Sequence, residues 1–312
     1  MSFEVTEHFV KQYSANVVHL SQQKGSRLLD KTRVEQITGK EAYFDRIGAV
    51  AAVKKTSRHS DTPQLDTPHS RRKVVLTDYQ WADLIDNEDK LRMLNDPTSD
   101  YAQAAAWAMG RSIDDEIIEA GMGTAYAGEE GGTPIAFPNA RRIHSVASGA
   151  LAALNIEALL HSQRLFDDAD VDEDIPRFHA ISSAQKQSLL STTEIKSSDY
   201  NTVKALVQGQ IDTFMGFKFI RTNRQPKDIA GTAKFSLTTG VYDSSGGTAA
   251  TGSHMSLAWA QGALLTGIGQ SPLGKISERA DKSYSNQVYM RMSLGAVRME
   301  EATTVLVYSK ES

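Results

Sequence analysis

The clearest pattern of apolar and polar positions lies between residues 97 and 122 and has the period of an α-helix. Its apolar residues fall near one face at helical spacing: Tyr101, Ala105, Ala108, Ile113, Ile117 and Ala120. Asp96 and Pro97 form a helix start, with a capping carboxylate and a proline in the first turn, and Gly121 and Gly123 supply a stop. A helix of about 24 residues would be about 36 Å long. That is about twice the average length of about 11–12 residues in globular proteins.

Residues 41–86 have the pattern of two extended strands around a polar segment. Residues 42–53 and 71–81 are rich in β-branched and aromatic residues, which favours strands. The segment between them, KKTSRHSDTPQLDTPHS, has no apolar run and is too long for a tight hairpin turn. A long two-stranded arm is marginally stable by itself and gains most by lying on another chain. The pattern is therefore a first indication of assembly.

The first 40 residues are polar and loosely patterned, with no tight apolar face. Phe9, Tyr13, Val17 and Leu20 are at helical spacing, so this stretch could form one amphipathic helix. By itself such a helix would bury little apolar surface. The segment is either a frayed terminus or an arm that packs on a neighbouring subunit.

The remainder of the chain alternates helices and strands. We predict helices from Asn155, over 184–191 and from Ser198 to Phe214, and strands at 177–182 and 216–221. Residues 222–252 are rich in Gly, Ser and Thr and have the composition of a mobile or partner-contacting loop. Residues 256–268 fit a helix or a strand. The last segments have the pattern of strands: 275–281, 286–296 and 298–308.

Composition narrows the classes of function. The net charge of -4 and the pI of about 6.1 argue against a protein whose main task is to grip nucleic acid. The chain has no cysteine, which excludes disulfides, thiolate zinc sites and cysteine nucleophiles. We find no secretory signal and no apolar run of about 18 residues, so we expect no membrane association and a cytoplasmic location.

Sequence signatures of catalysis and of phosphate binding are absent. There is no GxxxxGK[ST], GxSxG or HExxH motif. The acidic run 167–174 resembles a calcium loop only superficially, because it lacks the required glycine and final glutamate. Carboxylates on amphipathic helices are usually the solvated face. We therefore predict a protein that is not an enzyme and needs no cofactor.

The polar segment between the two predicted strands contains the remaining candidate ligands. Its pattern HSDTPQLDTPH could hold a metal if the loop folded back, but the spacing matches no known motif and arginines lie nearby. We predict no metal site and interpret the segment as a salt-bridging tip that contacts another subunit. The residues assigned to such contacts are Arg58, His59, Asp61, Asp66, His69, Arg71 and Arg72, with Phe9 and Tyr13 in the N-terminal segment.

Long stretches of the chain resemble one protein family. The stretches are QYSANVVHLSQQKGSRL, AYFDRIGA, RHSDTPQLDTPHSRR and DYQWADLIDNEDKLRMLNDPTSDYAQAAAWAMGRSIDD, which together extend over residues 12–115. With the order of elements, they resemble the major capsid proteins of tailed bacteriophages, which have the Hong Kong 97-type fold. The resemblance implies an α+β fold with an N-terminal arm, an extended β-hairpin loop, a long spine helix in a peripheral domain and an α/β axial domain.

The same resemblance implies a division of the chain. Residues 1–40 would be the N-terminal arm and 41–86 the extended loop. Residues 87–144 and 276–312 would form the peripheral domain, with the spine helix at 97–122. Residues 145–275 would form the axial domain.

The resemblance also implies partners. Copies of the chain would assemble into hexamers and pentamers of an icosahedral head that encloses double-stranded DNA, located in the virion after assembly in the bacterial host cytoplasm. There is no long N-terminal extension that could act as a built-in scaffold, so either a separate scaffolding protein is implied, which we expect, or the start has been processed. A portal protein and a possible decoration protein are implied as well. The lack of a strong basic patch fits weak, non-specific contact with packaged DNA. An encapsulin-like shell around cargo enzymes remains an alternative, and a carboxylate-dependent hydrolase is the rival from another class.

Overall fold

A computed structural model describes residues 22–58, 61–62, 64–86, 98–191, 213–228, 230–231, 233–244 and 246–311. Three α-helices lie in these ranges: α1 (Thr98–Met122), α2 (Ile156–Asp167) and α3 (Ser183–Ser191). The strands, in chain order, are β1 (Arg33–Gln36), β2 (Glu41–Ile47), β3 (His69–Val75), β4 (Thr77–Ile85), β5 (Ala125–Ala127), β6 (Thr133–Ile135), β7 (Arg142–His144), β8 (Val146–Ala147), β9 (Ala150–Leu151), β10 (Arg177–Ile181), β11 (Thr213–Phe214), β12 (Phe217–Arg221), β13 (Lys234–Phe235), β14 (Thr248–Ala249), β15 (His254–Ala260), β16 (Leu264–Arg279), β17 (Ser285–Arg298) and β18 (Thr304–Ser309).

The chain divides into two compact units. The first unit comprises Met1–Ser26, Asp78–Ser112 and Gln270–Ser293. The second unit comprises Arg27–Thr77, Ile113–Gly269 and Leu294–Ser312. None of the described helices is long and apolar enough to cross a membrane.

A six-stranded sheet in the second unit contains the largest core. Its strand order is β11-β12-β10-β15-β18-β7. Every residue of β10 and of β18 is buried, including the polar residues Arg177 and His179 of β10. Helix α2 begins where the Asn155 side chain accepts a hydrogen bond from the Ala158 amide at 2.9 Å. Its buried face packs against the sheet through Leu159 and Phe166.

A second sheet of the same unit has the order β2-β3-β5-β6 and adjoins a smaller core. That core contains Ile37, Val74, Ala125, Leu265, Val297 and Met299. Gly295 allows a close approach here, because a Cβ atom at this position would lie 2.1 Å from the Val75 carbonyl oxygen. The base of the β2–β3 hairpin is therefore held in a packed environment.

The first unit contains the N-terminal part of α1 and the far ends of the two longest strands, β16 and β17. In the four-stranded sheet of order β1-β16-β17-β4, strand β4 forms one edge. Gly110 lies on α1 where a Cβ atom would be 2.4 Å from the Gly25 Cα atom, so two glycines permit the backbones to cross. Arg111 Nη1 donates to Gln22 Oε1 at 2.8 Å beside this crossing.

Several predicted elements agree with the structure. Helix α1 has 25 residues and ends at Met122, although the expected start at Asp96 and Pro97 lies outside the described residues. The helices expected from Asn155 and over 184–191 are present as α2 and α3. Strand β10 matches the expected strand at 177–182.

Other predicted boundaries were wrong. The helix expected to reach Phe214 lies mostly outside the described residues, and its last two residues form β11 instead. The segment 71–81 is divided between β3 and β4, which are separated at Leu76, where the amide donates to the Lys40 carbonyl. The ambiguous segment 256–268 is extended and belongs to β15 and β16.

The last predicted strand, 298–308, was also misplaced. A turn separates Arg298, the end of β17, from Thr304, the start of β18. The turn contains two adjacent carboxylates, Glu300 and Glu301, which the sequence pattern alone did not distinguish from strand residues.

Candidate functional site

The candidate site is the β-hairpin formed by β2 and β3, together with the segment that joins them. The two strands pair antiparallel from Glu41 opposite Val75 to Ile47 opposite His69. The Gly48 amide then donates to the Pro68 carbonyl at 2.8 Å. We call residues 41–75 the arm and residues 48–68 the arm tip.

Ionic pairs between the two strands hold the arm in register. Arg71 Nε donates to Asp45 Oδ1 at 2.6 Å, and these residues are direct partners in the ladder. Lys73 Nζ lies 2.8 Å from a Glu41 carboxylate oxygen. The hydrogen bond from Arg71 lowers the pKa of Asp45, and the one from Lys73 lowers the pKa of Glu41. Opposite charges on facing strand positions favour this register over a shifted one.

Every described residue of the arm tip is exposed, and none of them lies in a helix or strand. Apolar side chains are included: Val50 is 59% exposed, Val53 is 58% exposed and Leu65 is 51% exposed. Lys54, Lys55 and Arg58 are exposed among them. More than half of each of these apolar side chains is left uncovered by its own chain. Exposed apolar side chains beside cationic ones in one segment fit a contact surface.

A buried arginine anchors the base of the arm. Arg72 is 0% exposed, and its Nη2 atom donates to both carboxylate oxygens of Glu301, at 2.7 and 2.8 Å. Arg46, on the partner strand, lies with its Nη1 atom 3.4 Å from Glu301 Oε2 and also donates to the Met299 carbonyl. Burial lowers the pKa of Arg72, and the Glu301 carboxylate offsets part of that shift.

A second buried arginine joins the same carboxylate to the end of helix α1. Arg298 is 0% exposed, and its Nη1 atom donates to the carbonyls of Gly121 at 3.0 Å and Gly123 at 2.7 Å. Its guanidinium carbon lies 4.9 Å from the centre of the Phe137 ring, and its Nε atom lies 3.7 Å from Glu301 Oε1. A cation at a helix C-terminus satisfies carbonyls that have no partner within the helix. The arm base, the helix end and the turn at Glu301 are thus one connected cluster.

The residues assigned to contacts from the sequence lie in different environments. Arg58, Asp61 and Asp66 lie exposed in the arm tip. His69 is exposed at the end of β3, and Arg71 is bound to Asp45 across the hairpin.

The other assigned residues are placed differently. Arg72 is enclosed in its own chain, so its guanidinium cannot reach a neighbouring subunit, and we assign it a positioning role instead. His59, Phe9 and Tyr13 lie outside the described residues.

Sequence reasoning missed the anchoring cluster. One signal was available in the sequence, because Arg72 is two residues from apolar Val74 and alternate residues of a strand share a face. Glu301 gave no signal, since its partner is 229 positions away in the sequence. Among the described residues, no group of three histidine or carboxylate side chains is arranged to hold a metal ion.

The architecture matches solved phage capsid structures along nearly its whole length. The capsid structure of the cyanophage P-SCSP1u has a TM-score of 0.72 and 17% identity, covering 100% of this chain and 96% of that chain. The capsid asymmetric unit of cyanophage Pam1 has a TM-score of 0.69 and 13% identity, covering 98% and 97%. The capsid of a native GTA particle has a TM-score of 0.66 and 12% identity, covering 98% and 97%. The α+β fold of Hong Kong 97 type expected from the sequence is confirmed.

These similarities show the fold, and a family profile shows the class, a structural protein of a viral capsid. The sequence profile of the family described as "Phage capsid protein" matches residues 5–311. The chain belongs to this family, and it is a major capsid protein with its place in the virion capsid. The encapsulin alternative is not favoured by these matches. A comparison with curated protein sequences finds no match.

Proposed function

We propose that copies of this chain form the hexamers and pentamers of an icosahedral head that encloses double-stranded DNA, with each arm lying on a neighbouring copy. The observation that carries the arm assignment is the contrast between the two ends of the arm. Its base is fixed by the pair of buried Arg72 and partly buried Glu301, whereas all described residues of the tip are exposed. A rigid base with an unburied tip is suited to reaching another subunit.

The chemistry of the tip indicates what it contacts. Val50, Val53 and Leu65 would gain free energy by leaving water, at about 25 cal/mol per Å² of apolar surface. Lys54 and Lys55 would add attraction to an acidic rim on the neighbouring copy. Arg58, Asp61, Asp66, His69 and Arg71 would supply polar contacts near the periphery of the same interface.

The assigned divisions of the chain remain part of the proposal. Residues 1–40 serve as the N-terminal arm, with Phe9 and Tyr13 packed on a neighbour. Residues 87–144 with 276–312 form the peripheral domain and 145–275 the axial domain. The role of the chain is structural, without catalysis.

Further partners follow from this role. A separate scaffolding protein guides curvature during assembly in the host cytoplasm, and a portal protein occupies one vertex. Packaged DNA meets the shell through weak, non-specific contact, which agrees with a net charge of -4. A decoration protein on the outer surface is compatible with the same role.

Electron microscopy of the purified chain, alone and with its scaffolding protein, tests the proposal. The expected result is uniform closed icosahedral shells. The arm assignment predicts further that a chain lacking residues 49–67, rejoined by a two-residue Asn-Gly turn, folds but forms no closed shells. Persistent monomers of the full chain under all conditions would contradict the shell function. Normal shells from the shortened chain would contradict the role of the arm only.

A further inference from the structure

The anchoring cluster, which comprises Arg46, Arg72, Arg298 and Glu301, contains more positive charge than its own carboxylate offsets. The three arginines lie with a guanidinium nitrogen 3.4, 2.7 and 3.7 Å, respectively, from an oxygen of Glu301. In the part of the chain that the structure describes, none of the three forms an ion pair with another carboxylate. One negative charge therefore faces three positive ones.

A fourth arginine adjoins the cluster. The guanidinium carbon of Arg142, on β7, lies 5.9 Å from the centre of the Phe137 ring, and that of Arg298 lies 4.9 Å from the same centre. Burial lowers the pKa of Arg298, and the charges of Arg72 and Arg142 lower it further. The cations therefore repel one another inside the folded subunit.

Arg72 is the member of the cluster whose donors are least satisfied. Arg298 donates to backbone carbonyls at the end of α1, and Arg46 donates to the Met299 carbonyl. Arg72 donates only through Nη2, to Glu301. Its Nε and Nη1 atoms are buried and have no hydrogen-bond partner among the described residues. Two charged N–H groups thus face the interior without an acceptor.

A small rearrangement of the cluster would not satisfy both of these donors. Nε and Nη1 lie on different edges of the planar guanidinium, so a turn of the Glu301 carboxylate would reach one of them and leave the other. Native proteins rarely retain a buried charged donor without an acceptor, because its desolvation is costly. A buried water would accept from one N–H group but would leave the excess charge uncompensated. An anion at one edge, with Glu301 at another, meets both requirements.

We propose that the anchoring cluster binds one small inorganic anion, of the size and charge of chloride, with Arg72 as its principal donor. The enclosure of Arg72 restricts the ligand to a small ion, since an organic acid would reach it only if the base of the arm opened. The side chains of Arg46 and Glu301 are partly exposed, so the ion exchanges with solvent on their side of the cluster. The bound ion gives the base of the arm a second negative group. The isolated subunit contains the whole site, and its failure would leave the shell function intact.

Thermal unfolding of the isolated subunit tests the site. Sodium gluconate is replaced stepwise by sodium chloride at constant ionic strength, so that general screening of charge stays the same. The unfolding midpoint should rise by at least about 2 °C, because an ion that binds only the folded state stabilises that state as its concentration increases. Equal midpoints in the two salts would overturn the proposal.

Two variants with the same change in net charge locate the effect. Arg72→Met removes the unsatisfied donors but keeps a long side chain, and Glu301 retains Arg46 and Arg298 as partners, so this variant is expected to fold. Its response to chloride should be lost. The matched control is Arg71→Met, since Arg71 is adjacent but exposed and pairs with Asp45, and this variant should keep the full response. Equal responses in the two variants would count against the site.

A crystallographic experiment on the unaltered chain keeps the proposal testable even if Arg72→Met does not fold. Bromide replaces chloride at such sites and scatters X-rays anomalously. In crystals of the isolated subunit grown with sodium bromide, an anomalous peak should lie within about 3.5 Å of Arg72 Nε or Nη1, the range of hydrogen bonds to a halide that is larger than oxygen. A water molecule only, with no anomalous signal at Arg72, would overturn the anion site.

Discussion

Arg72 and Glu301 are joined through a single guanidinium nitrogen, because Nη2 of Arg72 donates to both carboxylate oxygens at 2.7 and 2.8 Å. The pair links strand β3 to the turn between β17 and β18. Glu301 also lies near Arg46 and Arg298, so one carboxylate serves three cations. Its removal would leave buried positive charge without compensation.

We therefore expect Glu301→Gln to destabilise the subunit strongly. The free energy of unfolding should fall by about 2–4 kcal/mol, because breaking one side of a buried ion pair leaves the other charge unpaired. Chemical denaturation of the isolated subunit measures this change. Glu300→Gln is the matched control, since Glu300 is adjacent and exposed, and its effect should stay within about 0.5 kcal/mol. Equal losses in the two variants would contradict the anchoring role.

The arm tip gives a prediction that concerns assembly and not stability. Reversing Lys54 and Lys55 to Glu should leave the unfolding midpoint unchanged, because both side chains are exposed. The same variant should form few closed shells, as judged by sedimentation and electron microscopy. The control reverses Lys218 and Lys234, which are exposed outside the arm. If both double variants lost assembly equally, net charge and not the arm tip would be responsible.

A close backbone approach predicts a steric effect at Gly295. Gly295→Ala would place its Cβ atom 2.1 Å from the Val75 carbonyl oxygen, which cannot move as freely as a side chain. The expected loss is about 1–3 kcal/mol of unfolding free energy, the usual effect of overpacking. Gly132→Ala is the control, because no atom lies within 4 Å of its Cβ position. A loss in the control as large as that at position 295 would count against the steric explanation.

Two buried histidines predict how stability depends on pH. Burial lowers the pKa of His144 to about 4 and that of His179 to about 3, from 6.5 in the unfolded chain. The unfolded state therefore takes up protons first as the pH falls below 6.5, and stability decreases. Between pH 7.5 and pH 5, each histidine should lower the free energy of unfolding by about 2 kcal/mol.

Denaturation at several pH values measures this dependence. Replacing His144 with Gln removes one of these titrating groups, so the loss of stability between pH 7.5 and pH 5 should become smaller by about 2 kcal/mol. An unchanged pH dependence in that variant would contradict the assignment to His144. Its Nε2 atom lies 2.8 Å from the Ser253 hydroxyl, which a glutamine amide can also reach, so the variant is expected to fold.

Local sequence signals were sufficient for some elements and not for others. Helix α1 was predictable because a helical period depends on neighbouring residues, and strand β10 was recognised as a short strand at 177–182. The arm was recognised as two strands, but its first strand stops at Ile47 and not at Val53. Residues 48–53 are glycine, alanine and valine, and glycine and alanine are uncommon in strands, so the sequence held a signal for the end of this strand that the prediction passed over. The ladder itself ends at the pair Ile47 and His69.

The candidate site shows the same limit. An arginine at position 72 suggested an exposed contact because arginines are mostly exposed. Its burial depends on Glu301 and on the cluster around Arg298, which are distant in the sequence. The exposed character of Arg58, Asp61 and Asp66 followed from local composition, since no apolar run adjoins them. An ion pair between residues that are far apart in the chain leaves no recognisable pattern in a single sequence.

The position of β18 in its sheet affects the order in which the protein can be completed during synthesis. This strand is the last of the described elements, yet it lies between β15, with which it pairs antiparallel, and β7, with which it pairs parallel. A nascent chain that stops before Thr304 leaves both of those strands with an open edge and the buried faces of the sheet exposed to solvent. Translation must therefore reach the final strand before the sheet can close. Prematurely terminated chains would become substrates for proteases and would not be incorporated into the shell as defective subunits.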